Sequence, residues 1–150
     1  MQMPVNPAVL FLDLDKFKEI NDGIGHDVGD AVLRTIAERL RARVPNNAAI
    51  GRWGGDEFVV IIDGNYEGEA AESLAIGLRE SLVPAIDFTG EPLHVGVSIG
   101  IAYAPIHGNS AMAIIRAADL AAAEVSACAA GAGIGLCKPV GGCDAAEAGD

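Results

Sequence analysis

Two β-compatible runs, residues 48–53 and 57–63, are separated only by Gly54, Gly55 and Asp56, a Gly-Asp turn signal between strands. The spacing predicts a hairpin. Helical patterns lie on both sides of it in the chain, which argues against a fully parallel doubly wound sheet. The class expected is α/β of the α+β kind: a mostly antiparallel central sheet with flanking helices.

The other elements follow from periodicity. Residues 8–14 form a nearly continuous apolar run ending in an acid, the pattern of a buried central strand. Over 27–43, Val28, Ala31, Val32, Ile36, Ala37 and Leu40 recur at three- and four-residue steps, which predicts a helix with one buried face, stopped by Pro45. A helical pattern over 67–82, a loop over 87–92 and a β-branched run over 93–104 come next. A last, alanine-rich helix is expected over 110–130, then glycines, an edge strand over 134–137 and an acidic Gly- and Ala-rich tail. One domain over 1–138 and a flexible tail over 139–150 are the expected organisation.

Charge narrows the partners. The formal net charge is −11, and no cluster of Lys and Arg interleaved with aromatics offsets it, so nucleic acid is excluded as a partner. An acidic chain can still hold an anionic nucleotide when divalent cations lie between its carboxylates and the phosphates. No apolar run reaches the roughly 20 residues of a membrane-spanning helix, and the N-terminus carries no secretory pattern, so no membrane association and a cytoplasmic location are expected. Cys128, Cys137 and Cys143 fit neither zinc nor redox spacing and read as reduced thiols.

Two acidic pairs carry the candidate chemistry. Asp13 and Asp15 flank Leu14 at the end of the first strand, and Asp56 and Glu57 stand at the hairpin tip. Hard cations prefer carboxylate and carbonyl oxygens completed by substrate phosphates, so the two tips would make one site if they meet. Equally, Asp15 reads as the cap of a following helical turn and Asp56 as a turn former. Taken one motif at a time, the residues leave both readings open.

Read together, FLDLDKFKEINDGIGHDVGD over 11–30 and RWGGDEF over 52–58 resemble the two signature segments of the GGDEF family of diguanylate cyclases. The resemblance continues more weakly through Val97, Ser98, Ile99 and Gly100 and through residues 116–119. It implies a palm, ferredoxin-like fold of the nucleotide cyclase kind. It also implies that Asp13, the carbonyl of Leu14 and Asp56 hold Mg2+ or Mn2+ with Glu57 beside them. Asn21 and Asp30 would read the guanine edge, Phe17 and Lys18 would lie against the phosphates, and Asp56 or Glu57 would help remove a proton. The reaction implied condenses two GTP into cyclic di-GMP and pyrophosphate, which requires a homodimer to bring two sites face to face. A sensor domain or partner protein would supply the input.

His26, Trp53, His94, His107 and Arg52 read as structural, Trp53 packing in the core or beside the turn and Arg52 anchoring the hairpin, with contact to phosphate as its alternative. Three departures qualify the resemblance. The helix that usually precedes the first strand has no room here, so a fragment or a truncation is expected. Ser126 and Ala130 stand where the family carries lysine and arginine against the triphosphate, and residues 45–48 read PNNA in place of an inhibitory R-x-x-D. The expectation is a cyclase that is weak as an isolated chain. The alternative is a degenerate module that binds guanine nucleotide and signals by protein interaction.

Overall fold

A computed structural model of the chain describes residues 7–63, 70–87, 90, 92–127, 133–137 and 143–145. Strand β1 (Pro7–Asp15) leads into helix α1 (Phe17–Ile24) and then α2 (His26–Arg43). The hairpin β2 (Ala48–Arg52) and β3 (Glu57–Asp63) follows, then α3 (Ala70–Ser81), β4 (Ile86–Asp87), β5 (Pro92–Leu93), β6 (Gly96–Tyr103), α4 (Ala111–Ala127), β7 (Gly133–Cys137) and β8 (Cys143–Ala145). The main sheet has the order β2-β3-β1-β6-β7-β8, antiparallel except between β6 and β7. The mostly antiparallel sheet flanked by helices is the architecture the hairpin signal predicts.

The apolar run in β1 is explained by its place at the centre of this sheet, with β3 on one side and β6 on the other. Side chains alternate across a strand, so β1 supplies two cores. Ala8, Leu10, Leu12 and Leu14 pack with Val32, Ile36 and Leu40 of α2 and Ala75 and Leu78 of α3. Val9 and Phe11 face the other way, toward Ile114, Ala118, Ala121 and Ala122 of α4. Asp13 and Asp15 continue that second series, so both belong to the α4 side of the sheet.

Alanine richness in α4 has a packing reason. Ala118, Ala121 and Ala122 are fully buried, and Gly100 of β6 lies directly under them. A Cβ at Gly100 would run into the backbone of Ala118 and Ala122, and one at Gly135 would meet Ala121 and Val125. Small residues on both surfaces therefore let the helix backbone approach the sheet closely.

Two local expectations need correction, and one helix is added. The segment over 87–92, expected to be a loop, is flanked by β4 and β5, which pair Ile86 with Leu93 and Asp87 with Pro92; two-residue strands leave no periodicity to read. β7 is not an edge strand, because β8 pairs along its outer side inside the segment read as tail. The short helix α1, not among the expected elements, lies in the signature segment and carries Phe17, Ile20 and Ile24 at helical spacing against the core. The expected helix starts over 67–69 and end over 128–130 lie outside the described residues, as does Ala130. Among the described residues, no helix is long and apolar enough to cross a membrane.

Gly100→Val should lower unfolding stability by about 2 kcal/mol or more, the range of overpacking against atoms that cannot yield. Urea unfolding followed by circular dichroism measures it, and Gly51→Val in β2, where a Cβ would meet nothing, is the matched control.

Candidate functional site

The sheet register brings the two acidic pairs together. Asp13 of β1 lies opposite Glu57 of β3, and the Leu14 amide donates to the Asp56 carbonyl across 3.0 Å. The turn joining β2 to β3 is held shut from several directions. Trp53 and Gly54 amides both donate to the Glu57 carbonyl, at 2.8 and 3.3 Å, while Arg52 donates from Nε to the Gly54 carbonyl and from Nη2 to the Gly55 carbonyl, at 3.1 and 2.7 Å. A Cβ on Gly54 would meet the end of the Glu57 side chain and push its carboxylate aside, so the bare glycine lets that carboxylate lie against the turn. Arg52 thus anchors the hairpin. Trp53 sits beside the turn, 48% exposed, with its ring edge-on to Phe11 at a centroid distance of 6.5 Å.

Electrostatically the place is crowded with acid. Burial, then the charges of Asp56, Glu57, Asp15 and Asp119, push the Asp13 carboxyl up to about 6. Burial and the charges of Asp119 and Asp56 raise Glu57, and burial raises Asp119. Asp119 projects from α4 and was absent from the candidates read in the sequence. Its signal was the weak match over 116–119, which carried no chemistry until the helix was placed over β1.

Asp15 is occupied differently. Its Oδ1 accepts from Ser98 Oγ at 2.7 Å and from Ser126 Oγ at 3.3 Å, while its Oδ2 is buried with no hydrogen-bond partner among the described residues. Ser98 is fully buried, so this contact ties β1, β6 and α4 together at the acidic end of the sheet. The last turn of α4 carries no basic residue within the described range.

The remaining candidates line an adjoining cleft of about 280 Å³, walled by Phe17, Lys18, Asn21, Asp30, Leu33, Arg52, Gly55 and Asp56. Phe17 is buried in the core, so what it offers the cleft beyond an apolar wall is its backbone. Lys16, just before it, has φ +58°, the left-handed turn that redirects the chain from β1 into α1. The Asn21 amide donates from Nδ2 to His26 Nδ1 at 3.0 Å, so His26 orients Asn21. Gly29 has no room for a Cβ because the Asn21 side chain lies against it. His107 accepts the Tyr103 amide at Nδ1, 2.8 Å away, a structural role. Asp13 is not a wall of this cleft, but Asp56 is, so the cleft and the acidic end share a border.

Among the described residues, no three His, Cys, Asp or Glu side chains are grouped so as to hold an ion alone. What the chain offers is carboxylates with excess negative charge, two of them pushed toward protonation by burial and then by their neighbours, and an Asp15 oxygen nearby without a partner among the described residues. Such a donor set fits a hard divalent cation completed by ligand oxygens.

Comparison with known proteins agrees with this geometry. The family model described as "Diguanylate cyclase, GGDEF domain" matches residues 3–128. The signaling protein YkoW of Bacillus subtilis is 41% identical over 117 residues, covering 77% of this chain and 15% of YkoW. The diguanylate cyclase TpbB of Pseudomonas aeruginosa is 39% identical over 115 residues, 76% of this chain and 26% of TpbB. The crystal structure of the TpbB GGDEF domain superposes with a TM-score of 0.83 at 35% identity, covering 89% of this chain and 83% of that one. The cyclic di-GMP phosphodiesterase NbdA of the same organism is 36% identical over 121 residues, 81% of this chain and 15% of NbdA. The chain therefore spans about a quarter or less of the length of these curated relatives.

A raised carboxyl pKa means that the folded chain binds that proton more tightly than the unfolded chain. Stability due to Asp13 is therefore undiminished below the usual value of 3.8 and declines as pH rises through about 6. In chelator, Asp13→Asn should stabilise the fold at about pH 7.5 by about 1 kcal/mol, after discounting for solvent screening of a half-buried group, and by much less near pH 4. Thermal unfolding across that pH range checks it; a gain that does not grow with pH would refute the electrostatic account.

Proposed function

The chain belongs to the GGDEF family, and on that premise we propose that it binds GTP with Mg2+ or Mn2+ and, as a homodimer, condenses two GTP molecules into cyclic di-GMP and pyrophosphate. The observation that carries this reading is the register that sets Asp13 opposite Glu57 with Asp56 hydrogen-bonded to Leu14, at the border of the Asn21 and Asp30 cleft.

Asp13, the Leu14 carbonyl and Asp56 would hold the cation, with Glu57 beside them. When bound, the cation supplies charge neutralisation at the phosphoryl oxygens and a lower pKa for a coordinated hydroxyl. The protein's own groups do the rest. Asn21, oriented by His26, offers both a donor and an acceptor to the guanine edge, and Asp30 accepts from the N1 and N2 groups that distinguish guanine from adenine. Lys18 places positive charge where Phe17 and its neighbours turn their backbone toward the phosphates. Asp56 or Glu57 helps take the proton of the attacking hydroxyl; burial and the charges of Asp119 and Asp56 raise the proton affinity of Glu57. The domain organisation proposed is a single catalytic unit to residue 138, with an input from outside it.

A second reading has its own support. Where relatives are expected to grip the triphosphate with a base, Ser126 donates to Asp15 instead, and one relative of this chain is named a phosphodiesterase. Two lost charge-assisted contacts would cost about 1.5–3 kcal/mol each. That reading makes the chain a guanine-nucleotide-binding module that acts through a partner protein.

Concentrated protein incubated with GTP and Mg2+ or Mn2+ should yield cyclic di-GMP, and Asp13→Ala or Asp56→Ala should lower the rate by about 100-fold or more, beyond the usual cost of an outer-shell change. Product formed equally well by both variants would reject the assigned site. Thermal protection by GTP that needs the divalent cation, with no product, would select the binding module.

A further inference from the structure

A second cleft, of about 400 Å³, lies against the outer side of the guanine cleft and shares Asp30, Leu33 and Arg52 with it. Its other walls are Arg34, Ala37 and Arg41 of α2 and Phe58 of β3. The chain has 10 Lys and Arg against 21 Asp and Glu, yet three arginines converge here beside a single acid, Asp30.

Packing does not account for all of them. Arg39, on the same helix, shows what a structural arginine looks like: its guanidinium is tied to the Pro84 and Ala85 carbonyls. Arg34 and Arg41 make no hydrogen bond or ion pair among the described residues, although they stand two helical turns apart on one face. Arg52 is held by the Gly54 and Gly55 carbonyls, which fixes its guanidinium at the third corner. Buried Leu33 and Phe58 give the cleft an apolar floor, which strengthens any charge interaction made above it.

We propose that this arginine-lined cleft binds a small phosphate anion of the pyrophosphate class without a divalent cation. Planar guanidinium forks match phosphate oxygens in pairs, and two open forks, Arg34 and Arg41, with the remaining edge and charge of the anchored Arg52 beside them suit a diphosphate better than a lone carboxylate. The overall charge of −11 keeps long polyanions away, so the ligand is a small one. The cleft borders the proposed GTP site through Asp30, Leu33 and Arg52, but Arg34, Ala37 and Arg41 wall it alone and neither Asp13 nor Asp56 does, so binding here does not draw on the cation-holding acids.

The test is calorimetric titration of the full chain with inorganic pyrophosphate in excess chelator. Saturable binding near one equivalent is expected. It should weaken at least tenfold in the Arg34→Gln, Arg41→Gln double variant, weaken less in Arg41→Lys, and persist in Asp13→Ala. Both arginines are exposed, so circular dichroism should show the variants folded. Absence of binding, or binding that the arginine substitutions leave unchanged, overturns the proposal. Loss of binding in Asp13→Ala would also overturn it, by assigning the anion to the acidic end.

Discussion

Everything at the acidic end depends on the antiparallel ladder between β1 and β3. Because β1 is central and its apolar residues fill cores on both faces, its register against β3 cannot slip by one residue without turning both sets the wrong way. That constraint sets Asp13 opposite Glu57 and delivers the Leu14 amide to the Asp56 carbonyl. The carboxylates repel one another, and the core, not their own interaction, keeps them together. A site of this kind costs stability in the absence of a counter-charge, which is how binding sites commonly depart from what packing alone would choose.

The sheet made much of this legible from residues alone. The apolar run ending at Asp13 announced a central strand, and the Gly54, Gly55, Asp56 break announced the hairpin, because turn chemistry and strand burial leave local marks. Asn21, Asp30, Lys18 and Phe17 were found through resemblance, and the structure does place them around one cleft with Asp56. What could not be read was tertiary. Asp119 looks like any polar residue on a helix until α4 is laid over β1. The Ser98 and Ser126 contacts to Asp15 join residues 83 and 111 positions apart in sequence, and no short-range pattern encodes them. The β4 and β5 pairing was missed because two residues carry no period.

The roles of neighbouring side chains also sort themselves by what each one touches. His26 and Gly29 shape the position of Asn21, one by accepting its amide and the other by yielding space. Arg52 and Gly54 do the same for the hairpin, so the cleft and the acidic end are each braced by residues that need not contact a ligand.

The glycine floor beneath α4 has a further bearing on how such a domain can diverge. With Gly100 and Gly135 below and alanines above, the height of the helix is fixed by main-chain atoms meeting each other rather than by adjustable side chains. Repacking cannot tilt or lift it. New properties at its tip must then arise by exchanging what the helix displays, as with the hydroxyl that Ser126 turns toward Asp15, while the mount itself stays where the sheet puts it.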